Sequence, residues 1–236
     1  VGHGCSGVCC WGGCAMIMQG ALMASGGVAE IEFIGNVNTS GVYGSTSVSL
    51  PVGTEVGDYI VVAIMRAGSN PSTSSGGAAY LSFLSGVASG IGSDDAEVDV
   101  FGGICTNTAN ITPNQGAYSV LATISISTFR NAGFKSQATS TSYTSRPTLT
   151  ATAGDAAIYA AAFYDNDAPV FTSITAPTDF TLLTSDEAQY AYYNEDFGGG
   201  SAYRLGLPAG SLTPGQFGGL ASIDRSAHSL ILLESA

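Results

Sequence analysis

At 236 residues the chain can bury a substantial core, as one large all-β domain or two small ones. Only 10% of its residues are charged, and the 6 basic side chains against 18 acidic ones give a net charge of −12. A phosphate-binding surface needs clustered Lys or Arg, and the first basic residue is Arg66, so nucleic acid and anionic membrane surfaces are excluded as partners.

The chain begins at Val1, as a processed end or an internal position of a longer product would. Residues 1–29 contain no Asp, Glu, Lys or Arg and are cut into short pieces by glycine. Cys5, Cys9, Cys10 and Cys14 stand there in a C-x₃-C-C-x₃-C spacing, with His3 beside them. Three chemistries fit: disulfides within or between chains, free buried thiols, or a structural metal with His3 as a further ligand. The spacing is only a partial match to zinc patterns, and disulfides suit a glycine-rich stretch with too few residues for a core. Ala15 to Ala24 has the composition of a short helix, apolar nearly all round, which points to burial at a subunit contact or in an intrachain core. Gln19 and Gly20 interrupt the surrounding apolar run, so no membrane span is expected. The segment 1–29 reads as a Cys-rich attachment piece, and 30–236 as one β domain.

From Glu30 the period changes. Ile31, Phe33 and Ile34 begin a strand, and Thr46 to Leu50 alternates hydroxyl and apolar side chains as a half-buried strand does. PVGTEVGD (51–58) is a turn, and the continuous apolar run Tyr59 to Ala67 is a strand within a sheet core. Gly68 to Ala78 is a loop rich in Gly and Ser. Strands follow over 80–87 and Glu97 to Ile104. In Tyr118 to Phe129, Ile124 and Ile126 lie on one face and Ser125 and Ser127 on the other. Residues 147–163 echo 46–64: an alternating strand, a turn ending in Gly-Asp (Gly57-Asp58, Gly154-Asp155), then a long apolar strand. A double sheet built from two similar halves would generate that echo. His228 to Glu234 is a closing strand. The predicted fold is all-β, an antiparallel β-sandwich or jelly-roll-like module.

Elsewhere, chemistry-bearing groups are sparse. Asp95, Glu97 and Asp99 share one face of a strand and, with loop carbonyls, form a candidate calcium site; the alternative is a solvated strand face. His3 and His228 are the only histidines, and no G-x-S-x-G elbow accompanies them, so His228 reads as structural and the chain as a non-enzyme. Tyr190, Tyr192, Tyr193 and Tyr203, in a region broken by Gly198-Gly199-Gly200, are candidates for surface recognition of glycan or protein; the alternative places them in the core and its rim. No cofactor is indicated beyond the candidate structural metal or calcium.

The pieces LPVGTEVGDYIVVAI (50–64), ATISISTFRNAG (122–133), LTATAGDAAIYAAA (149–162), APTDFTLL (176–183) and SAYRLGLPAGSLTPGQF (201–217) resemble bacteriophage virion proteins of the tail and fibre type. The resemblance covers 31–236 and implies a β-sandwich or jelly-roll-like module with a structural or adhesive role. Two features depart from the group: the Pro-x-Gly-Trp turn after the first long apolar strand is missing, leaving Trp11 as the only tryptophan, and residues 1–29 are additional. The resemblance implies a virion protein on the external surface, partnered by other virion proteins and by host-surface glycan or protein. A homo-oligomer is expected, a trimer among its forms. A capsid decoration protein without receptor binding, and a glycan-binding or glycan-cleaving surface protein, are the alternatives.

Overall fold

The computed structural model describes residues 29–42, 46–67, 80–89, 95–113, 122–165, 171–190, 195–220 and 223–236. The expected helix over 15–24 and the cysteines at 5, 9, 10 and 14 lie outside them.

The described residues form strands and turns, without a helix. The first sheet comprises β1 (Glu32–Val42), β2 (Tyr59–Ala67), β3 (Ser82–Ala88), β4 (Ala96–Ile104) and β5 (Ala122–Arg130), in the order β1-β5-β2-β4-β3. The second comprises β6 (Ala132–Ser140), β8 (Ala156–Asp165), β10 (Thr181–Tyr190), β11 (Glu195–Arg204) and β14 (Arg225–Ser235), in the order β10-β11-β8-β14-β6. Two short ribbons pair β7 (Leu149–Ala151) with β12 (Gly210–Leu212), and β9 (Phe171–Thr175) with β13 (Gly218–Leu220). Every pairing is antiparallel. The sheets pack face to face as a β-sandwich.

The halves share one topology. Reading β6, β8, β10, β11 and β14 as counterparts of β1 to β5 turns the first strand order into the second. The Gly-Asp echo marks the start of the central strand in each half. Gly57 N–H donates to Cys105 O and Cys105 N–H to Asp58 O; likewise Gly154 N–H donates to Leu207 O and Leu207 N–H to Asp155 O. Gly57 (φ 101°) and Gly154 (φ 94°) take a backbone conformation that side chains with a Cβ avoid.

Both sheets are covered on both faces, which explains the unbroken apolar runs of β2 and β8. Between the sheets lie Val61, Ala63 and Met65 of β2 against Ile158, Ala160 and Ala162 of β8. Phe33 of β1 stacks on Tyr203 of β11 at 4.1 Å between ring centroids, tying the sheets together. Outside the first sheet, Val48, Leu50, Cys105 and Ile111 cover Ile60, Val62 and Ile64. Outside the second, Ile174, Phe180, Leu212 and Phe217 cover Tyr159, Phe163 and Leu230. Each fully buried Ile or Leu contributes about 1.5–3 kcal/mol.

Thr46 to Leu50 and Gly198 to Gly200 differ from the sequence reading, and β5 keeps its two unlike faces in an orientation the sequence left open. Thr46 to Leu50 is cover, held by a single bridge between Val48 and Ile111, because its alternation packs one side onto the sheet while its backbone pairs only there. The hydroxyl face of β5 points between the sheets: Ser125 and Ser127 are 2% exposed and accept from Asn36 Nδ2, and Ser201 of β11 donates to Ser125 at 2.9 Å. Gly198 to Gly200 lie inside β11. A Cβ on Gly199 would sit 2.8 Å from the Met65 Cβ, so glycine here permits close approach of the sheets.

Candidate functional site

The sandwich has two unlike poles. At one, tight turns feed the central strands, β5 passes into β6 through Asn131, and Ala29, where residues 1–28 join, enters beside Asn131, whose side chain donates to Glu30 O. Here Asp58 binds Arg130 and Asp155 binds Lys135. At the other pole lie the ends of the β3–β4 and β10–β11 hairpins and the start of β14.

The acidic run sits at this second pole, but its three members are split between two cations. Asp95, fully buried, pairs with Arg225 of β14 and so links the two sheets. Glu97 and Asp99 point to the outer face of the first sheet, where Arg66 of β2 lies 3.0 Å from Glu97 and 3.2 Å from Asp99. This corrects both sequence readings: Asp95, Glu97 and Asp99 neither converge on one ion nor face solvent, because guanidinium groups supply the countercharge. Among the described residues no group of three or more His, Cys, Asp or Glu side chains is arranged to hold a metal. Burial, reinforced by the neighbouring Asp99 carboxylate, pushes Glu97 up to about 7, against the opposing pull of Arg66.

His228 is 2% exposed on the outer face of the second sheet. Its Nδ1 lies 2.7 Å from the Tyr159 hydroxyl, and its ring stacks on Tyr159 and meets Phe163 edge-on. Burial, aided by the Arg146 charge, lowers it to about 4, so the imidazole is neutral at pH 7. This is a packed aromatic cluster, as the structural reading of His228 expects.

Of the tyrosine candidates, Tyr203 is packed between the sheets against Phe33 and Phe129, which corrects its assignment to a recognition surface. Tyr190 ends β10; Tyr192 and Tyr193 lie outside the described residues. Cys105 is a free, buried thiol whose Sγ lies 3.1 Å from Asn107 O.

The second pole also carries a cleft of about 180 Å³ between the end of β3 and the start of β14. It is lined by Ser89, by Thr141 and Tyr143 after β6, and by residues 223–226. No family model, curated protein or solved structure matches the chain. The cleft brings together three segments remote in sequence, and nothing in the local sequence singles them out. The one visible signal is the Asp224-Arg225 pair ahead of an apolar strand.

Proposed function

We propose that the chain is a non-enzymatic structural protein on the outer surface of a bacteriophage particle, a tail fibre or related appendage component contributing to host-surface adhesion. The observation that carries this reading is the opposition of the poles. The proposed attachment segment, 1–29, enters at the pole fixed by ion-paired turns, while the cleft and hairpin ends lie at the other. A sandwich so arranged holds a recognition end away from its anchorage. The resemblance over 31–236 and the scarcity of charge support the same assignment.

Imaging intact particles with antibody against residues 100–236 tests it. Labelling on the tail or its appendages is expected; labelling confined to the icosahedral shell overturns the fibre assignment and selects capsid decoration. Reproducible cleavage of host glycan, abolished by one carboxylate substitution, would instead select an enzyme.

The attachment role of residues 1–29 is tested by light scattering, with a larger species expected for the full chain than for one lacking them. Non-reducing peptide mass spectrometry with elemental analysis is expected to show linked peptides among Cys5, Cys9, Cys10 and Cys14. Stoichiometric zinc or iron without linked peptides would select the metal reading.

A further inference from the structure

We propose that the cleft between Ser89, Tyr143 and Arg225 binds one uncharged sugar residue, as the terminal unit of a neutral glycan. The proposal names a ligand class for the adhesive role and rests on that reading for its biological source. Its chemical basis is the cleft itself.

The lining is dominated by groups that exchange hydrogen bonds with hydroxyls. Ser89, Thr141 and Ser226 bring hydroxyl groups, Asp224 an acceptor and Arg225 a fork of donors. Ser226 is 2% exposed, and its Oγ has no hydrogen-bonding partner among the described residues. Buried polar atoms are ordinarily satisfied, so the Ser226 Oγ in the lining marks a place that water or a ligand completes. Ser89 is held in place by accepting from Ala96 N–H at 2.9 Å.

Charge selects among ligands. Arg225 is the cation of the lining, and Asp95 already neutralises it, with Asp224 next in the chain. An anion would meet a compensated guanidinium beside a further carboxylate in a chain of net charge −12, which disfavours phosphate and acidic sugars. A cation would have to displace Arg225 from Asp95. An uncharged polyol pays neither cost, and Asp224 and Arg225 of the lining offer it an acceptor and donors side by side.

Size and shape narrow the class. At about 180 Å³ the cleft is smaller than the roughly 300–1,000 Å³ of a pocket for a drug-sized ligand. One pyranose ring fits that scale. Tyr143, half-buried against the outer apolar layer, and Ile223 give an apolar wall for the C–H face of such a ring.

Saturation-transfer NMR on the full chain, with methyl glycosides of neutral hexoses and N-acetylhexosamines, tests this. N-acetylneuraminic acid and inorganic phosphate serve as anionic comparators. At least one neutral glycoside is expected to bind. Thr141→Trp, at an exposed position, should fill the cleft and weaken binding at least tenfold at an unchanged melting temperature, and Tyr143→Ala should also weaken it. No transfer to any neutral glycoside overturns the proposal, as does transfer unaffected by both substitutions or preference for either anion. A protein that binds sugar in the cleft but is absent from tail appendages keeps this site and sinks the fibre reading. An appendage protein that binds none does the reverse.

Discussion

Asp58 and Asp155 occupy the same place in the two halves of the molecule. Asp58 Oδ2 accepts from Glu55 N–H at 2.8 Å and Asp155 Oδ2 from Thr152 N–H at 2.7 Å, so each carboxylate closes its own turn. Each also receives a cation from a neighbouring segment, Arg130 at 2.9 Å or Lys135 at 2.7 Å. The carboxylates are buried while the cations reach solvent, so the two partners should not be equivalent on mutation. Asp155→Ala or Asp58→Ala leaves a turn N–H without its acceptor and should cost about 1–3 kcal/mol. Lys135→Ala removes only a partly screened pair and should cost under about 1 kcal/mol. Urea unfolding of the three variants checks the order; a Lys135→Ala loss equal to that of Asp155→Ala would show that the ion pair, and not the turn closure, dominates.

The Arg66, Glu97 and Asp99 group places two carboxylates around one guanidinium under cover. With Glu97 raised to about 7, the folded state holds a proton there that the unfolded chain releases at a lower pH. The contribution of Glu97 to stability therefore rises as pH falls from about 8 towards the ordinary carboxylate range near 4.5. Glu97→Gln keeps the shape and leaves a one-to-one pair of Arg66 with Asp99, so it should be neutral or stabilising at pH 8 and should remove this pH dependence. Arg66→Met strands two buried acids and should cost about 3–5 kcal/mol. Denaturant midpoints for wild type and Glu97→Gln at pH 5 and 8 decide the matter; parallel shifts in the two proteins would refute the role of Glu97.

His228 works in the opposite direction with pH. Its lowered value of about 4 means the fold excludes a proton that the unfolded imidazole takes up near 6.5. Its contribution is intact above about 6.5 and is lost progressively as pH falls towards 4, by roughly 3 kcal/mol at one proton per molecule. His228→Gln should be less stable at pH 7, having lost the ring stacked on Tyr159, yet should lose less on acidification than wild type. An equal acid loss in both proteins would place the sensitivity elsewhere.

The sequence makes the class of fold plain where one physical signal dominates. Tyr59 to Ala67 and Ala156 to Phe163 are apolar on both faces because both faces are covered, and the Gly-Asp turn before each announces the repeated half. Where two physical causes give the same pattern, it misleads. The Ile–Ser alternation at 124–127 looks like a strand with one wet face, but its serines are internal, satisfied by Asn36 of the neighbouring β1 and by Ser201 of the opposite sheet. The carboxylates at 95, 97 and 99 look like one site because alternation puts them on one face, whereas their partners, Arg225 of the second sheet and Arg66 of the adjacent β2, are remote in sequence. The cleft is invisible for the same reason: the β6–β14 pairing brings Tyr143 beside Ser226, and the packing of one sheet on the other brings Ser89 to them.

Gly199 provides the sharpest test of that packing. In sequence, Gly198-Gly199-Gly200 resembles a loop, because glycine weakens a strand and offers no side chain to its core. In the fold it is the middle of β11, paired on both sides, with the Met65 Cβ 2.8 Å and the Thr123 Cβ 3.4 Å from where a Gly199 Cβ would stand. Both neighbours belong to the opposite sheet, and both are wholly buried, so neither can swing into solvent. Gly199→Ala must push the sheets apart locally and should cost about 1–3 kcal/mol, with Gly199→Val costing more. Met65→Gly removes the very Cβ that a side chain at 199 would meet and should recover part of the Gly199→Ala loss in the double variant, a coupling that two independent defects would not show. Thermal and urea unfolding of the two single variants and the double variant measure it. Strict additivity would mean that glycine is kept at 199 for the backbone alone and not for the approach of the two sheets.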